Sequence, residues 1–138
     1  MADPYTVVLF LWRKPGISPG EFKTHWETVH IPLLKSLTGD LFPQSHTRFY
    51  LARTPKDAAS ADTSNANYAP NILVGEAEDF DYDAFAQVVF KSQADFGAFF
   101  AYMQSPDIAA KVHENEERFI LRQKIKAVQI EDVKVTSK

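Results

Sequence analysis

The stretch from residue 18 to residue 37 constrains the fold most, because it specifies a helix and marks where that helix begins. Ser18 and Glu21 stand three residues apart, which is the pattern of a capping box at a helix N-terminus. Pro19 suits the first helical position, where its missing N–H would have no partner in any case. The apolar side chains that follow recur at helical spacing and predict one buried stripe, made of Phe22, Trp26, Val29 and Leu33.

Two histidines flank this stripe, and a proline follows the second one. At regular helical spacing, His25 and His30 project to opposite edges of the stripe, about 140° apart. Pro32 disfavours helical geometry at the residue before it, so the helix is expected to bend just after His30. A helix that delivers a histidine to the edge of a core and then bends can form the wall of a pocket. The alternative is a pair of half-buried histidines that only pack and hydrogen-bond.

The whole chain, residues 1–138, is expected to form a single domain, because this length suffices for one sizeable core. Its net charge of −3 gives no electrostatic basis for binding nucleic acid or an anionic membrane. The absence of cysteine excludes disulfides, thiolate nucleophiles and thiolate metal sites. The longest apolar run, residues 7–12, is too short to cross a bilayer, which takes about 20 residues. We therefore expect a soluble, cytoplasmic protein.

Apolar periodicity divides the chain into strands and helical regions in the order β-α-β-β-α-β. The strands are predicted at 5–12, 45–53, 84–91 and 123–133. The helical regions begin at 18 and 92, and within the second region one helix ends and another begins at 105–106. The polar segment 54–71 has no periodicity and is expected to be a long flexible loop or a lid. This order predicts an α+β fold of the ferredoxin-like type, with the helices on one face of an antiparallel sheet.

The other face of such a sheet has no helices to cover it, and its predicted side chains are too apolar to face water. They are Val8, Phe10, Phe90, Val128 and Ile130. Large bare apolar patches mark interfaces, so two copies are expected to pack sheet against sheet. The sequence therefore predicts a homodimer whose two sheets share a barrel-like core.

The second predicted strand carries a row of polar side chains that can transfer protons or bind anions. Alternation places His46, Arg48 and Tyr50 together on one face of this strand. Such a row is expected where the face lines a wet cavity, although a face in contact with solvent could hold the same residues.

Three segments of the chain resemble the EthD family of dimeric α+β barrel proteins. Residues 22–34 resemble the family signature, and residues 39–50 and 81–85 are similar to its fungal branch. Members of that branch are commonly encoded beside aromatic polyketide synthases. The resemblance therefore implies a cofactor-independent decarboxylase that acts on an anthrone-type polyketide carboxylic acid. The alternatives are a polyketide dehydratase or cyclase on the same scaffold and a non-catalytic small-molecule binding protein.

Two positions depart from the pattern of this family. Gln87 stands where the resemblance implies a glutamate, and His113 stands where it implies a small or acidic residue. If Gln87 replaces a catalytic acid, the activity is altered or absent.

Loss of carbon dioxide from a β-keto acid needs a donor aimed at the carbonyl oxygen and an acid that later protonates carbon. The candidate catalytic residues are His30, His46, Tyr50 and Asp83. The two histidines are candidates for acid and base, because histidine titrates near neutral pH. Tyr50 can donate to an oxyanion. Asp83 can orient a histidine or act as a base, although it can equally be a turn residue before the third strand.

The candidate substrate-binding residues are Arg48, Trp26, His25, Phe42 and Tyr68. Arg48 would hold a carboxylate or phenolate by a forked ion pair, whereas Trp26 has packing as its simpler role. No metal is expected, because His25 and His30 do not share a helix face at this spacing. No cofactor is expected either, because the chain has no phosphate-binding loop or dinucleotide fingerprint.

Overall fold

Residues 3–138, which the computed structural model describes, form six strands and four α-helices. The strands are β1 (Tyr5–Leu11), β2 (Ser45–Tyr50), β3 (Arg53–Pro55), β4 (Tyr68–Pro70), β5 (Ala84–Phe90) and β6 (Lys126–Ile130). The helices are α1 (Pro19–His25), α2 (Ile31–Thr38), α3 (Gln93–Met103) and α4 (Pro106–Glu116). A π-helical turn (Trp26–His30) joins α1 to α2, and short 3-10 turns occupy Gly39–Leu41, Ala77–Phe80 and Arg122–Lys124.

Four strands form one antiparallel sheet in the order β2-β5-β1-β6, and β3 and β4 form a separate hairpin. The two strands in the middle, β1 and β5, pair with each other along their whole length. The helices pack on one face of this sheet, around a core that includes Phe22 of α1 and Phe90 of β5. The predicted ferredoxin-like α+β fold is thereby confirmed.

The core lies between the helices and the inner face of the sheet, towards which alternate residues of β5 point. These residues are Ala84, Ala86, Val88 and Phe90, and none is more than 6% exposed. The prediction that Phe90 lies on the uncovered face is therefore wrong. Phe90 is an even number of residues from Ala84 and Ala86 along the strand, so its side chain points to the same buried face. Phe119, which is 1% exposed, closes the core from the helical side.

The first helix begins where the capping box predicts, because the Ser18 side chain accepts from the Glu21 N–H and the Glu21 carboxylate accepts from the Ser18 N–H. The predicted stripe fails one turn later. The π turn holds one residue more than an α-helical turn, so His30 (4% exposed) lies inside and Val29 (40% exposed) lies outside. The helix does not bend after His30, since Ile31 is helical (φ −62°, ψ −46°) and its N–H donates to a carbonyl five residues back.

The segment 54–71 is a hairpin with a tied loop rather than a chain without structure. β3 and β4 pair across it, and the buried Asn67 side chain donates to the backbone oxygens of Asp57 and Asp62. Arg13 fastens the loop to the body of the domain by donating to the Thr63 backbone oxygen and to the Asn65 side chain. Strand β2 ends at residue 50 and β6 begins at residue 126, so both are shorter than predicted.

The outer face of the sheet carries the residues between the inward-pointing ones. The register places Gln87 of β5 directly between Val8 of β1 and Thr47 of β2. Val128 of β6 stands opposite Val8 and is 52% exposed. Gln87 therefore lies on the opposite side of the sheet from the helices.

No helix in residues 3–138 is both long enough and apolar enough to span a membrane.

Candidate active site

A cavity of about 380 Å³ lies between the inner face of the sheet and the helices. Its walls are mostly apolar and rich in phenylalanine, among them Phe42, Phe90, Phe96, Phe99 and Phe119. Six polar side chains also line it: His30, His46, Gln104, His113, Glu116 and Arg122. A concave apolar space of this size with a few polar groups is typical of a site for a small organic molecule.

His30 reaches the cavity from the π turn and is held from behind by α4. Its Nδ1 lies 2.9 Å from Oδ1 of Asn115, a buried residue of α4. The same oxygen lies 3.0 Å from Nε2 of His25. The prediction that the two histidines point to opposite edges of the helix is therefore wrong. The π turn holds more residues than an α-helical turn, which brings residues five apart onto one face.

His46 reaches the cavity from β2, and its neighbour on the same strand face holds it. The Arg48 guanidinium donates to His46 Nδ1 at 3.1 Å and to the His46 backbone oxygen at 2.9 Å. The imidazole also meets the edge of the Trp26 indole, with ring centroids 5.9 Å apart. The two histidines that were predicted to line one pocket thus line the same cavity, one from the helical layer and one from the sheet.

Both imidazoles are neutral at physiological pH. Burial lowers the pKa of His30 to about 4, even though the hydrogen bond to Asn115 opposes the shift. Burial also lowers the pKa of His46 to about 4, and the positive charge of Arg48 lowers it further. An apolar site disfavours a charged imidazolium, so the two groups are available as a neutral base and a neutral donor.

Glu27 of the π turn organises the rest of the polar strand face. Its carboxylate accepts from Arg48 Nε at 2.5 Å, from Arg48 Nη2 at 3.1 Å and from the Tyr50 hydroxyl at 2.5 Å. Burial and the Glu27 hydrogen bond raise the pKa of Tyr50 above its ordinary value. The Tyr50 hydroxyl is bound to Glu27, and the Arg48 guanidinium is bound to Glu27 and His46. Neither side chain lines the cavity.

A second ion pair lies in the cavity wall, from residues that the sequence did not single out as ligands. Arg122 Nε donates to Glu116 Oε1 at 2.9 Å, and both side chains remain partly exposed. Burial raises the pKa of Glu116, and the hydrogen bond to Arg122 opposes this shift. His113 lies one turn before Glu116 on α4 and also lines the cavity. Its departure from the family pattern was the only signal in the sequence that pointed to this wall.

The family model for the EthD domain matches residues 14–123, which is most of the chain. The chain belongs to the EthD domain family. Curated proteins give no match to this sequence.

Solved structures with similar folds share little sequence with this EthD-domain protein. An ethyl tert-butyl ether d (EthD) family protein from Bacillus halodurans C-125 is 10% identical, with a TM-score of 0.51 over 94% of this chain and 99% of the other. HapK from Hahella chejuensis is 12% identical, with a TM-score of 0.52 over 97% of each chain. An EthD-like protein from Ralstonia eutropha JMP134 is 13% identical, with a TM-score of 0.51 over 94% and 90%. At these identities the likeness establishes the fold.

Besides Arg48 and Tyr50, the predicted site residues Asp83 and Tyr68 of this EthD domain also lie away from the cavity. Asp83 accepts from the backbone N–H of Arg13 at 2.7 Å and from its Nε at 3.1 Å, and Arg53 Nε lies 3.2 Å from the same carboxylate. The prediction that Asp83 orients a histidine is wrong, because its carboxylate is committed to these two arginines beneath the hairpin. Tyr68 stands at the start of β4, and no residue of 53–70 lines the cavity. Closure of this hairpin as a lid stays a prediction.

The remaining predicted site residues divide between the cavity wall and the layer behind it. Trp26 and Phe42 line the cavity. His25 lies behind His30, stacked on Phe119 at 4.7 Å between ring centroids. Within residues 3–138, no three or more His, Asp or Glu side chains are grouped so that they could hold a metal ion. The cavity can offer a substrate the neutral imidazoles of His30 and His46, the Arg122 guanidinium and apolar walls, together with the side chains of Gln104, His113 and Glu116.

Proposed function

We propose that this EthD-domain protein is a cofactor-independent lyase that decarboxylates an aromatic polyketide carboxylic acid of the anthrone type. We place it in the fungal branch of the family, on the likeness of residues 39–50 and 81–85 to that branch. The observation that carries the proposal is the pair of neutral histidines in one apolar cavity, His30 buried and His46 half-buried.

The cavity favours decarboxylation through its low polarity. A carboxylate loses hydration when it enters apolar surroundings, whereas carbon dioxide and a delocalised enolate need less solvation. The walls contain phenylalanine from β5, α3 and the 119–120 region, which suits a flat aromatic ring system. The chemistry then requires only a hydrogen-bond donor at the carbonyl oxygen and a proton carrier, which the two imidazoles can supply.

Arg122 replaces Arg48 as the group proposed to bind the substrate carboxylate. Arg48 is held by Glu27 and does not line the cavity, whereas Arg122 does. Arg122 is fixed by a single hydrogen bond to Glu116, so other guanidinium N–H groups remain for a ligand.

The test is incubation of the purified protein with an aromatic β-keto polyketide acid, followed by mass spectrometry of the product. We expect loss of carbon dioxide. The variants His30→Asn and His46→Asn should each lower kcat by about 100-fold or more, as loss of general acid–base catalysis does. Arg122→Met should mainly raise KM. Arg118→Met is the matched control, because Arg118 forms a similar 2.9 Å ion pair with Glu114 on the exposed side of α4.

Other products would overturn this proposal in distinct ways. Loss of water in place of carbon dioxide would identify a dehydratase or cyclase that uses the same histidines. A substrate that remains unchanged, yet raises the melting temperature or co-purifies, would identify a small-molecule binding protein.

We also propose that the functional unit is a homodimer in which two sheets pack through their outer faces. The outer face is covered by no helix and exposes apolar side chains, with Phe49 40% and Val128 52% exposed. Phe49 stacks on Phe85 at 4.7 Å, so part of this face is a continuous aromatic surface. In this homodimer the cavity of each protomer would lie on the inner face of its own sheet, away from the interface.

A further inference from the structure

Asn115 is a buried side chain whose amide oxygen serves two histidines at once. It is 8% exposed on α4, and its Oδ1 lies 2.9 Å from His30 Nδ1 and 3.0 Å from His25 Nε2. An amide oxygen has two lone pairs and can only accept, so each imidazole nitrogen must carry the proton of its hydrogen bond. His30 is therefore protonated on Nδ1. A neutral imidazole carries one proton, so the lone pair of His30 lies on Nε2.

His46 is held in the opposite sense. Its Nδ1 faces the Arg48 guanidinium at 3.1 Å. A guanidinium has no acceptor and remains charged, so it can only donate. His46 Nδ1 must therefore be unprotonated, and the proton of this neutral ring lies on Nε2. Arg48 is itself fixed by its two hydrogen bonds to Glu27, which leaves its fork little freedom to turn away.

We infer that Asn115 and Arg48 are positioning residues that lock the two cavity histidines in opposite tautomers, so that His30 is the base and His46 the hydrogen-bond donor. The hydrogen bonds fix the state of each Nδ1, the state of the His30 Nε2 follows because that ring is neutral, and the catalytic roles rest on the proposed function. Two residues outside the cavity support this arrangement. Glu27 holds Arg48, and His25 shares the Asn115 oxygen with His30.

The π turn makes the shared contact to Asn115 possible. In a regular α-helix, side chains five residues apart point about 140° away from each other. Here the wide turn over Trp26–His30 brings His25 and His30 to one oxygen atom on α4. Single π-helical turns within α-helices occur frequently at functional sites.

The tautomers assign each step of the proposed reaction. The substrate binds as a carboxylate, and His30 Nε2 takes up one proton from solvent beside it and becomes an imidazolium. The bond between the carboxylate carbon and the adjacent carbon then breaks, releasing carbon dioxide, and its electron pair moves into the neighbouring carbonyl to form an enolate. The His46 Nε2–H donates a hydrogen bond to the enolate oxygen throughout. The His30 imidazolium finally gives this proton to carbon, so the net change is loss of carbon dioxide and uptake of one proton from solvent.

Nuclear magnetic resonance of the imidazole nitrogens tests the inference directly, without any substrate. The chain has only four histidines, so single substitutions assign every ring. Long-range ¹H–¹⁵N spectra of the unliganded protein at pH 7 should show a protonated Nδ1 for His30 and a protonated Nε2 for His46. Either ring in the reverse tautomer would overturn the inference.

Variants separate the two positioning residues. Asn115→Leu removes the acceptor, so His30 should change to a mixture of tautomers while His46 stays unchanged. Asn115→Asp restores an acceptor oxygen and should keep His30 Nδ1 protonated. The double variant Glu27→Gln/Arg48→Met removes the Arg48 donor without leaving an unpaired carboxylate. His46 should then change to a mixture of tautomers, while His30 stays unchanged. Unchanged spectra in folded Asn115→Leu or in the double variant would contradict the inference.

Kinetics distinguish this inference from the proposed function. With a substrate in hand, Asn115→Leu and the double variant should lower kcat by at least about tenfold with little change in KM, since a wrong histidine tautomer costs up to about 10⁴-fold in serine proteases. Asn115→Asp should recover part of the loss. The expected tautomers without turnover of any polyketide acid would support the inference and contradict the proposed function. Turnover with the reverse tautomers would do the opposite.

Discussion

At the scale of residues, the two imidazoles in the apolar cavity make the stability of this protein depend on pH. The pKa of His30 and that of His46 fall from 6.5 in the unfolded chain to about 4 in the folded protein. Between these values the unfolded chain binds more protons, so stability is complete above pH 6.5 and is lost as the pH falls towards 4. We expect each histidine to reduce the free energy of unfolding by about 2 kcal/mol between pH 7 and pH 5.

Urea denaturation at both pH values, at one fixed protein concentration, measures this effect. His30→Asn, which keeps a donor for Asn115, should lose about half of the pH dependence. Gln104→Asn is the control, because Gln104 also lines the cavity but carries no group that titrates, so its substitution should leave the pH dependence as in the natural protein. Equal pH dependence in His30→Asn and the natural protein would contradict the pKa assignment.

Residue roles could be predicted from the sequence where a local pattern defines the direction of a side chain, and not elsewhere. Alternation along β2 correctly separated His46 and Arg48 from the outer face. Alternation could not show that Glu27, 21 residues away, binds the Arg48 side chain and keeps it from a ligand. Asp83 failed for the same reason, since its partner Arg13 lies 70 residues away in the chain. The cavity wall at Arg122 depends on packing between elements and has no local signal.

At the scale of elements, the π turn acts as a single inserted residue in an otherwise α-helical segment. The Thr28 hydroxyl donates to the Thr24 backbone oxygen at 2.6 Å, which competes with the regular helical hydrogen bond. Deleting Thr28 should convert the π turn into an α-helical turn and bring His25 and His30 to a spacing of four residues. This spacing also lies on one helix face, so both contacts to Asn115 should persist. We expect the free energy of unfolding to change by no more than about 1 kcal/mol.

Deletion of Ser36 is the matched control for deletion of Thr28. Ser36 is also exposed, but it lies in α2, where the helix has no extra residue. Its loss should rotate Thr38 out of the core and displace Phe42 from the cavity, at a cost of more than about 2 kcal/mol. Chemical denaturation and the His30 nitrogen spectrum compare the two deletions. Equal destabilisation by both would show that the π turn is required rather than merely inserted.

Elements with their own local signals were predictable, and those held by distant contacts were not. The capping box at Ser18 and the alternation of β5 each define an element from neighbouring residues alone. The hairpin of β3 and β4 has no such pattern, because its strands are three residues long and its loop is held by Arg13. The extra residue of the π turn is invisible to a search at 3.6-residue spacing, so the predicted stripe was out of phase from Val29 onward.

At the scale of the whole molecule, the two faces of the sheet have different tasks. The inner face and the helices enclose the cavity, and the outer face is left apolar without a covering layer. Val128 lies opposite Val8 on that outer face, in the edge strand β6. In the proposed homodimer this position is buried against the partner, whereas in a monomer it contacts water.

The substitution Val128→Asp should separate the homodimer into folded monomers. Burying a carboxylate without a partner costs several kcal/mol, so we expect the dimer dissociation constant to rise by at least about 100-fold. Light scattering after size exclusion should give twice the 15.6 kDa chain mass for the natural protein and one chain mass for the variant.

Val29→Asp makes the same chemical change on the helical layer, at a side chain that is 40% exposed, and should leave the dimer intact. A natural protein that is monomeric at every concentration, or a Val128→Asp variant that stays dimeric, would contradict sheet-to-sheet packing. Because each cavity lies on an inner face, the separated monomers should keep the His30 and His46 tautomers of the dimer.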